Sequence, residues 1–350
     1  MKNRILIIYL FVLFSAGNLY ALTVTVTFDD PAVPAAIATQ AQTDIASTLA
    51  KYSYMPDLAR GFGNANTYSS YAATLKGYQG YDIFAIAVGS MVSIQAPNGD
   101  PMFFTKMQKQ LDTGDIYFGV GGNPIVGEAG LNLGFLVDGL YLSFKFGKFN
   151  YKYDKDSYKI KYDSNLFGAL LGYQLINEKS ILAGILLWRG ISFDSGFIYS
   201  NNIVSLYKKL DPLAPITSGT FTAVVDPSID FVLDTKTIVI PIEVYTSVRL
   251  LYMLNFGVGG GVDYVPYGRT SFSLKSAGPI VVTNSALPGY EAHGTASIDA
   301  STNGIAPNKY RPKLMMNFGL SLGPVFIDMP MTYYYTDNGY ALGISAGMVW

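Results

Sequence analysis

The nearest approach to a nucleophile motif is a pair of Gly-x-Ser-x-Gly stretches. They are Gly319-Leu320-Ser321-Leu322-Gly323 and Gly343-Ile344-Ser345-Ala346-Gly347. A nucleophile elbow places its serine on a strand-to-helix turn, with a histidine later in the chain. Neither stretch leads into helical periodicity, and the single histidine, His293, precedes both. Alternating Gly and Ser instead suit the small face of a strand. His293 with Asp299 would serve a surface hydrolase, but a lone histidine in a polar segment is ordinarily just solvated. Zinc and copper sets fail with no Cys and one His. Asp154 and Asp156 flank Lys155 and read as a solvated turn before they read as a weak calcium site. The Gly-rich runs 119–122 and 257–261 lack the Lys-Ser/Thr of a phosphate loop. No catalytic residue, metal ligand or cofactor is therefore expected, and the chain is not read as an enzyme.

A second set of polar residues has a different use. Glu243, Arg249, Asn255, Asp263, Lys313 and Asn317 all alternate with apolar neighbours, so strand geometry puts them on one face. In a small barrel such residues fill the interior with hydrogen bonds and ion pairs, or line a narrow polar pore.

The elements that would hold them are strands. Leu314, Met316, Phe318, Leu320 and Leu322 oppose Lys313, Met315, Asn317, Gly319 and Ser321. Val325, Ile327, Met329, Met331 and Tyr333 oppose Phe326, Asp328, Pro330 and Thr332, with a tight turn at Gly323-Pro324 between the two runs. Phe256, Val258, Gly260, Val262 and Tyr264 oppose Asn255, Gly257, Gly259, Gly261 and Asp263. Ile242, Val244, Thr246, Val248 and Leu250 oppose Glu243, Tyr245, Ser247 and Arg249. Leu142, Phe144 and Phe146 oppose Tyr141, Ser143 and Lys145. One face is thus apolar and uncharged, as lipid demands, and the other polar or small. At the C-terminus Tyr340, Leu342, Ile344, Ala346, Met348 and Trp350 form one such face, ending on the last residue.

Composition agrees. The apolar fraction is 50% and the charged fraction 14%, with mean hydropathy +0.25, against about 25% charged in ordinary soluble domains. The formal net charge of −1 gives no basic field for nucleic acid. Lys2 and Arg4, the apolar run 5–14, and small residues through Ala21 read as a Sec signal peptide. Cleavage is expected after Ala21 or, second, Gly17. An uncleaved anchor is the alternative, but the run falls short of the ~20 residues a span needs. Connections at 323–324, 251–253, 177–180 and 138–139 are short. Those at 267–311, 200–236, 151–159 and 95–128 are long, the first with a hairpin of its own. Bacterial barrels show this asymmetry, with short periplasmic turns and long outer loops.

The expected fold is all-β: a transmembrane antiparallel up-and-down β-barrel of about 10 strands (range 8–14), with a small, partly helical N-terminal segment. Residues 1–21 would be the signal peptide, 22–80 a periplasmic or plug segment, and 81–350 the barrel. Both chain ends are expected in the periplasm. Within 22–80, Val33, Ile37, Ala41, Ile45 and Leu49 suggest an amphipathic helix, and the stretch from Lys51 through Pro56, Gly61 and Gly63 a loop.

The face ending in Tyr340, Met348 and Trp350 resembles the C-terminal assembly signal of bacterial outer-membrane proteins, with Trp where Phe is commoner. Residues 57–65, Asp-Leu-Ala-Arg-Gly-Phe-Gly-Asn-Ala, resemble the Gly-rich N-terminal segment of FadL-type hydrophobe transporters, which have more strands than are counted here. In general character, with Tyr-rich strands and no Cys, the chain is similar to spirochaete-type surface barrels. These resemblances imply an outer-membrane location, with the lipid bilayer and the barrel-assembly machinery as partners and no nucleic acid. The expected role is a surface protein with long extracellular loops, structural or binding an extracellular ligand such as a host molecule. The alternative is a porin or a channel for hydrophobic compounds.

Overall fold

The computed structural model describes residues 21–30, 33, 38–39, 42–43, 55–78, 80–96, 119–155, 158–181, 185–209, 216–218, 220–226 and 228–350. In chain order the elements are β1 (Ala21–Phe28), α1 (Met55–Tyr68), β2 (Phe84–Gln95), β3 (Gly119–Asn132), β4 (Leu140–Lys155), β5 (Tyr158–Ile176), β6 (Lys179–Ile181), β7 (Leu186–Lys209), β8 (Ile216–Ser218), β9 (Phe221–Val225), β10 (Ser228–Leu250), β11 (Leu254–Asn284), β12 (Glu291–Ile305), β13 (Tyr310–Leu322), β14 (Val325–Tyr334) and β15 (Gly339–Val349).

Ten of these strands close into a ring, β11–β10–β7–β5–β4–β3–β2–β15–β14–β13 and back to β11. Every pairing is antiparallel. Closure pairs the backbone polar groups all round the wall without an exposed edge. The C-terminus sits at one seam, where the Trp350 amide donates to Phe84 O at 2.8 Å and the Ile83 amide to Trp350 O at 2.9 Å. Pro330 lies in a strand of the closed wall although it has no amide hydrogen to donate. The β14–β15 ladder is interrupted there, between Asp328/Ser345 and Met331/Leu342.

Alternation sorts side chains as the sequence indicates. Val258, Ile242, Val244, Phe318, Leu320, Ile327, Met329 and Ile344 are exposed on the outside, while Glu243, Asp263, Lys313, Asp328 and Tyr334 are buried inside. The ends of the barrel differ. Short turns join β3–β4, β10–β11 and β13–β14 at the end that carries Trp350. At the far end β7, β10 and β11 run past the ring. Beyond Tyr264, β11 leaves β13 and pairs with β12, which in turn pairs with β1. The hairpin expected within 267–311 is thus a continuation of the wall, with Phe272, Leu274, Ile280 and Val282 buried on its inner face.

Two expectations are corrected. The N-terminal strand does not lie at the Trp350 end. Partner β12 holds β1 at the opposite end, so the chain's two described termini lie at opposite ends of the barrel. The segment through Pro56, Gly61 and Gly63 is not a loop but α1. Pro is tolerated in the first turn of a helix. The glycines at the contact have a packing reason: a Cβ on Gly119 of the wall would stand 1.9 Å from Gly61 O, one on Gly121 2.6 Å from Ala65 O, and one on Gly63 of the helix 2.7 Å from Thr270 Oγ1. Helix and wall touch backbone to backbone, and only glycine permits that approach. The helix expected at 33–49 lies mostly outside the described residues. Val33 is buried in a cluster with Val26, Ala223, Ile280, Val282 and Ala292.

Candidate functional site: the plugged lumen

Residues 55–78 and 80–81 thread the lumen from the far end to the Trp350 end as α1, a 3-10 turn (Ser69–Tyr71) and a stretch without regular secondary structure. This segment contacts the wall all the way. Near the far end the Arg311 guanidinium donates to Thr67 Oγ1 and, at 3.2 Å, to Asn64 O. It lies over the Tyr68 and Tyr334 rings, which stack with centroids 4.0 Å apart. The Tyr68 hydroxyl donates to Asp337 at 2.8 Å. Ser93 Oγ donates to Ala65 O at 2.6 Å, and Asn123 Nδ2 to Ser69 Oγ at 2.8 Å.

Midway lies a buried ion quartet. Lys313 Nζ pairs with Glu243 Oε1 and, at 2.6 Å, with Asp263 Oδ1, while Lys76 Nζ pairs with Glu243 Oε2. The Tyr71 hydroxyl donates to Asp263 Oδ1 at 2.5 Å and the Tyr334 hydroxyl to Asp263 Oδ2 at 2.9 Å. Two ammonium groups thus meet two carboxylates, and the cluster is formally neutral. One lysine, Lys76, comes from the plug, and the other three charges from the wall. Isolated, each would cost several kcal/mol to desolvate. A further pair, Lys145 and Glu128 at 3.0 Å, is completed by Lys145 donating to Ala72 O and Ala73 O of the plug.

Towards the Trp350 end Tyr78 stacks on Phe326 at 4.0 Å, donates to Asp328 Oδ1 at 2.8 Å, and accepts from Asn255 Nδ2 at 2.9 Å. Ser247 Oγ donates to Gly77 O at 2.9 Å. The interior cavities described beside the plug are small, about 20 Å³ each, room for little more than one water.

Of the residues singled out in the sequence, Glu243, Asp263 and Lys313 come together in the quartet, and Asn255 binds the plug and Ser321. Asn317 is buried beside Tyr245 and Asp328. Arg249 lies half-buried on the same strand face, in the electrostatic reach of Arg189. Tyr340 and Trp350 are exposed on the outer wall and Met348 half-exposed. Sequence reasoning missed Lys76, Tyr71 and Tyr78, which lie in the plug. It put Lys145 and Asp328 on the polar strand faces without counting them among the lumen residues, and it put Arg311 in an outer loop.

The chemistry-bearing residues weighed above stay apart. Ser321 and Ser345 are buried on the inner wall. His293 is exposed on β12, beyond the ring. Asp299 is six residues further along the same strand, roughly 20 Å away at strand rise, and is paired with Lys275. Asp154 is paired with Lys159 at 3.3 Å.

Residues 20–350 match the family described as Lsa36-like. The chain belongs to the Lsa36-like family. No curated protein matches it. Among solved structures it is similar to the translocator domain of the autotransporter NalP from Neisseria meningitidis, at 11% identity and TM-score 0.31, covering 90% of this chain and 98% of that one. It is also similar to the toluene transporter TbuX of Ralstonia pickettii, at 8% identity and TM-score 0.33, covering 84% and 98%. For CarO of Acinetobacter baumannii the values are 10% and 0.28, covering 61% and 95%.

Proposed function

We propose that the chain is an outer-membrane surface barrel, closed by its own N-terminal segment, that holds an extracellular sheet out from the cell for a structural or ligand-binding role. The observation that carries this reading is the matched lumen: wall charges that would otherwise face a pore are neutralised by Lys76 or bonded to plug carbonyls. The apolar outer wall fits lipid. The Trp350 end, with its short turns, is the periplasmic end, and the outward face of Tyr340, Met348 and Trp350 is available there to the insertion machinery. The far end is extracellular. Its sheet buries one face, while Thr23, Thr25, Thr27, Thr295 and Ser297 are exposed on the other, a polar face suited to hydrogen-bonding a macromolecule. A porin or hydrophobic-compound channel would require the plug to leave.

The test is topology on intact cells. A peptide tag in the β11–β12 turn, after Leu287, is expected to bind antibody without permeabilisation. A tag at 323–324 is expected to need permeabilisation. The reverse pattern, or a tag after Leu287 that stays hidden, overturns the reading.

Lipid exposure predicts a second contrast. Val258 is 47% exposed on the outer wall. Val258→Arg is expected to cost about 2–4 kcal/mol of stability in vesicles, the range for arginine at mid-membrane. Thr295→Arg, on the extracellular sheet, is expected to change stability by less than about 0.5 kcal/mol. Denaturant titration of both variants reads the difference.

A further inference from the structure

The outer wall is apolar but not smooth. On β13, β14, β15 and β2 it holds a groove of about 480 Å³, far larger than the ~20 Å³ spaces beside the plug. The register explains its position. Leu314, Tyr333, Tyr340 and Ile94 stand side by side in one row, and Met316, Met331, Leu342 and Val92 in the next. The second row continues to Gly122, opposite Val92, where no side chain fills the wall. A Cβ there would meet nothing nearer than Met91 O at 3.6 Å. Methionines at the centre let the walls adapt to a flexible guest.

The groove lies just below an aromatic and cationic rim. Tyr333 contacts Tyr335 and Tyr340, with centroids 5.1 and 4.9 Å apart. On the neighbouring strands Tyr264 stacks on Tyr310 at 5.3 Å, and the Lys309 ammonium lies 5.6 and 5.7 Å from those two rings. Tyr264–Tyr310 is the last rung of the β11–β13 ladder, so Lys309 marks the extracellular rim. Leu314 is four residues below Tyr310, roughly 13 Å along the strand. A tyrosine belt with a lysine above it is the chemistry of a membrane interface.

We propose that this groove retains one acyl chain of an outer-leaflet lipid whose anionic phosphate headgroup is held by Lys309. The inference rests on the membrane reading above. A concave slot suits a chain of methylenes. The convex wall of a second barrel would bridge it without entering. The cation at the rim selects a lipid with net negative charge over a neutral one with the same tails.

Native mass spectrometry of the folded full chain tests this, with phosphatidylglycerol and phosphatidylcholine of identical tails as probes in equal amounts. One phosphatidylglycerol is expected to stay bound, favoured about fivefold over phosphatidylcholine, the effect of one lysine charge at a lipid surface. Lys309→Gln is expected to abolish that preference. Met331→Trp, which fills the groove, is expected to remove retention of both lipids. Ile327→Trp, outside the groove on the same wall, is expected to leave it intact. Equal retention of the two lipids by the parent, or unchanged retention in Met331→Trp, overturns the proposal. A gel-mobility shift on heating, run on each sample, keeps the two readings separate. Shifted protein without lipid means that this site fails and the barrel stands, whereas unshifted protein means that the membrane reading itself fails.

Discussion

Glu243→Ala is expected to destabilise the folded barrel by about 3–5 kcal/mol, the cost of breaking a buried ion pair from one side. Glu243 accepts from both Lys76 and Lys313. Removing it leaves two ammonium groups in a closed interior with one carboxylate, Asp263, between them. Lys76 loses its carboxylate partner, and the plug loses its central charge contact with the wall. The paired substitution Lys76→Met with Glu243→Leu removes one charge of each sign and leaves Lys313 with Asp263 at 2.6 Å. That double variant is expected to recover most of the loss, because replacing a buried pair with apolar residues of similar volume is often neutral. Urea unfolding in vesicles, followed through the two tryptophans, gives both values. If Glu243→Ala loses less than about 1 kcal/mol, the quartet is not desolvated as described.

Planar bilayers holding the full chain are expected to stay electrically silent. A variant with residues 55–78 replaced by a Gly-Ser linker of equal length is expected to pass stepwise currents. The linker keeps the topology but gives up Arg311's contacts to Asn64 and Thr67, the Lys76–Glu243 pair and the Tyr78–Phe326 stack. What remains is a ten-stranded ring lined by Glu243, Asp263, Lys313, Asp328 and Arg311, a polar channel around a flexible chain that does not pack. Large steady currents from the parent chain would mean that the plug leaves the lumen unaided. They would favour the transport reading over display.

The wall was legible because lipid enforces a strict rule. Each spanning strand must keep one uncharged apolar face, so Ile242 and Val244 announce Glu243, and Leu314 and Met316 announce Lys313 and Met315. The same rule falls silent outside the membrane. Beyond Tyr264, β11 keeps its ladder to Asn284, but Arg269, Ser271, Ser273, Lys275 and Thr283 now occupy its outer face, and the run reads as a loop. The plug was illegible for another reason. Gly61 and Gly63 are poor helix formers in isolation, and the wall that confines them, Gly119 against Gly61 and Thr270 against Gly63, is far away in sequence. Lys76 looks like any solvated lysine until the fold brings it to Glu243, 167 residues away. The position of β1 depends on pairing with Gly294 to Ser301, a partner that no local pattern specifies.

Heat-modifiability of outer-membrane extracts tests the central claim most directly. Unboiled and boiled samples of the full chain are compared on a denaturing gel, alongside fractionation of the producing cells. The account predicts a chain confined to the outer membrane whose unboiled form migrates differently from the boiled one, because a closed ladder of ten strands resists detergent until heated. A chain found in the soluble periplasmic fraction, with one mobility in both lanes, would contradict it: the apolar faces would then be packed against protein and not against lipid.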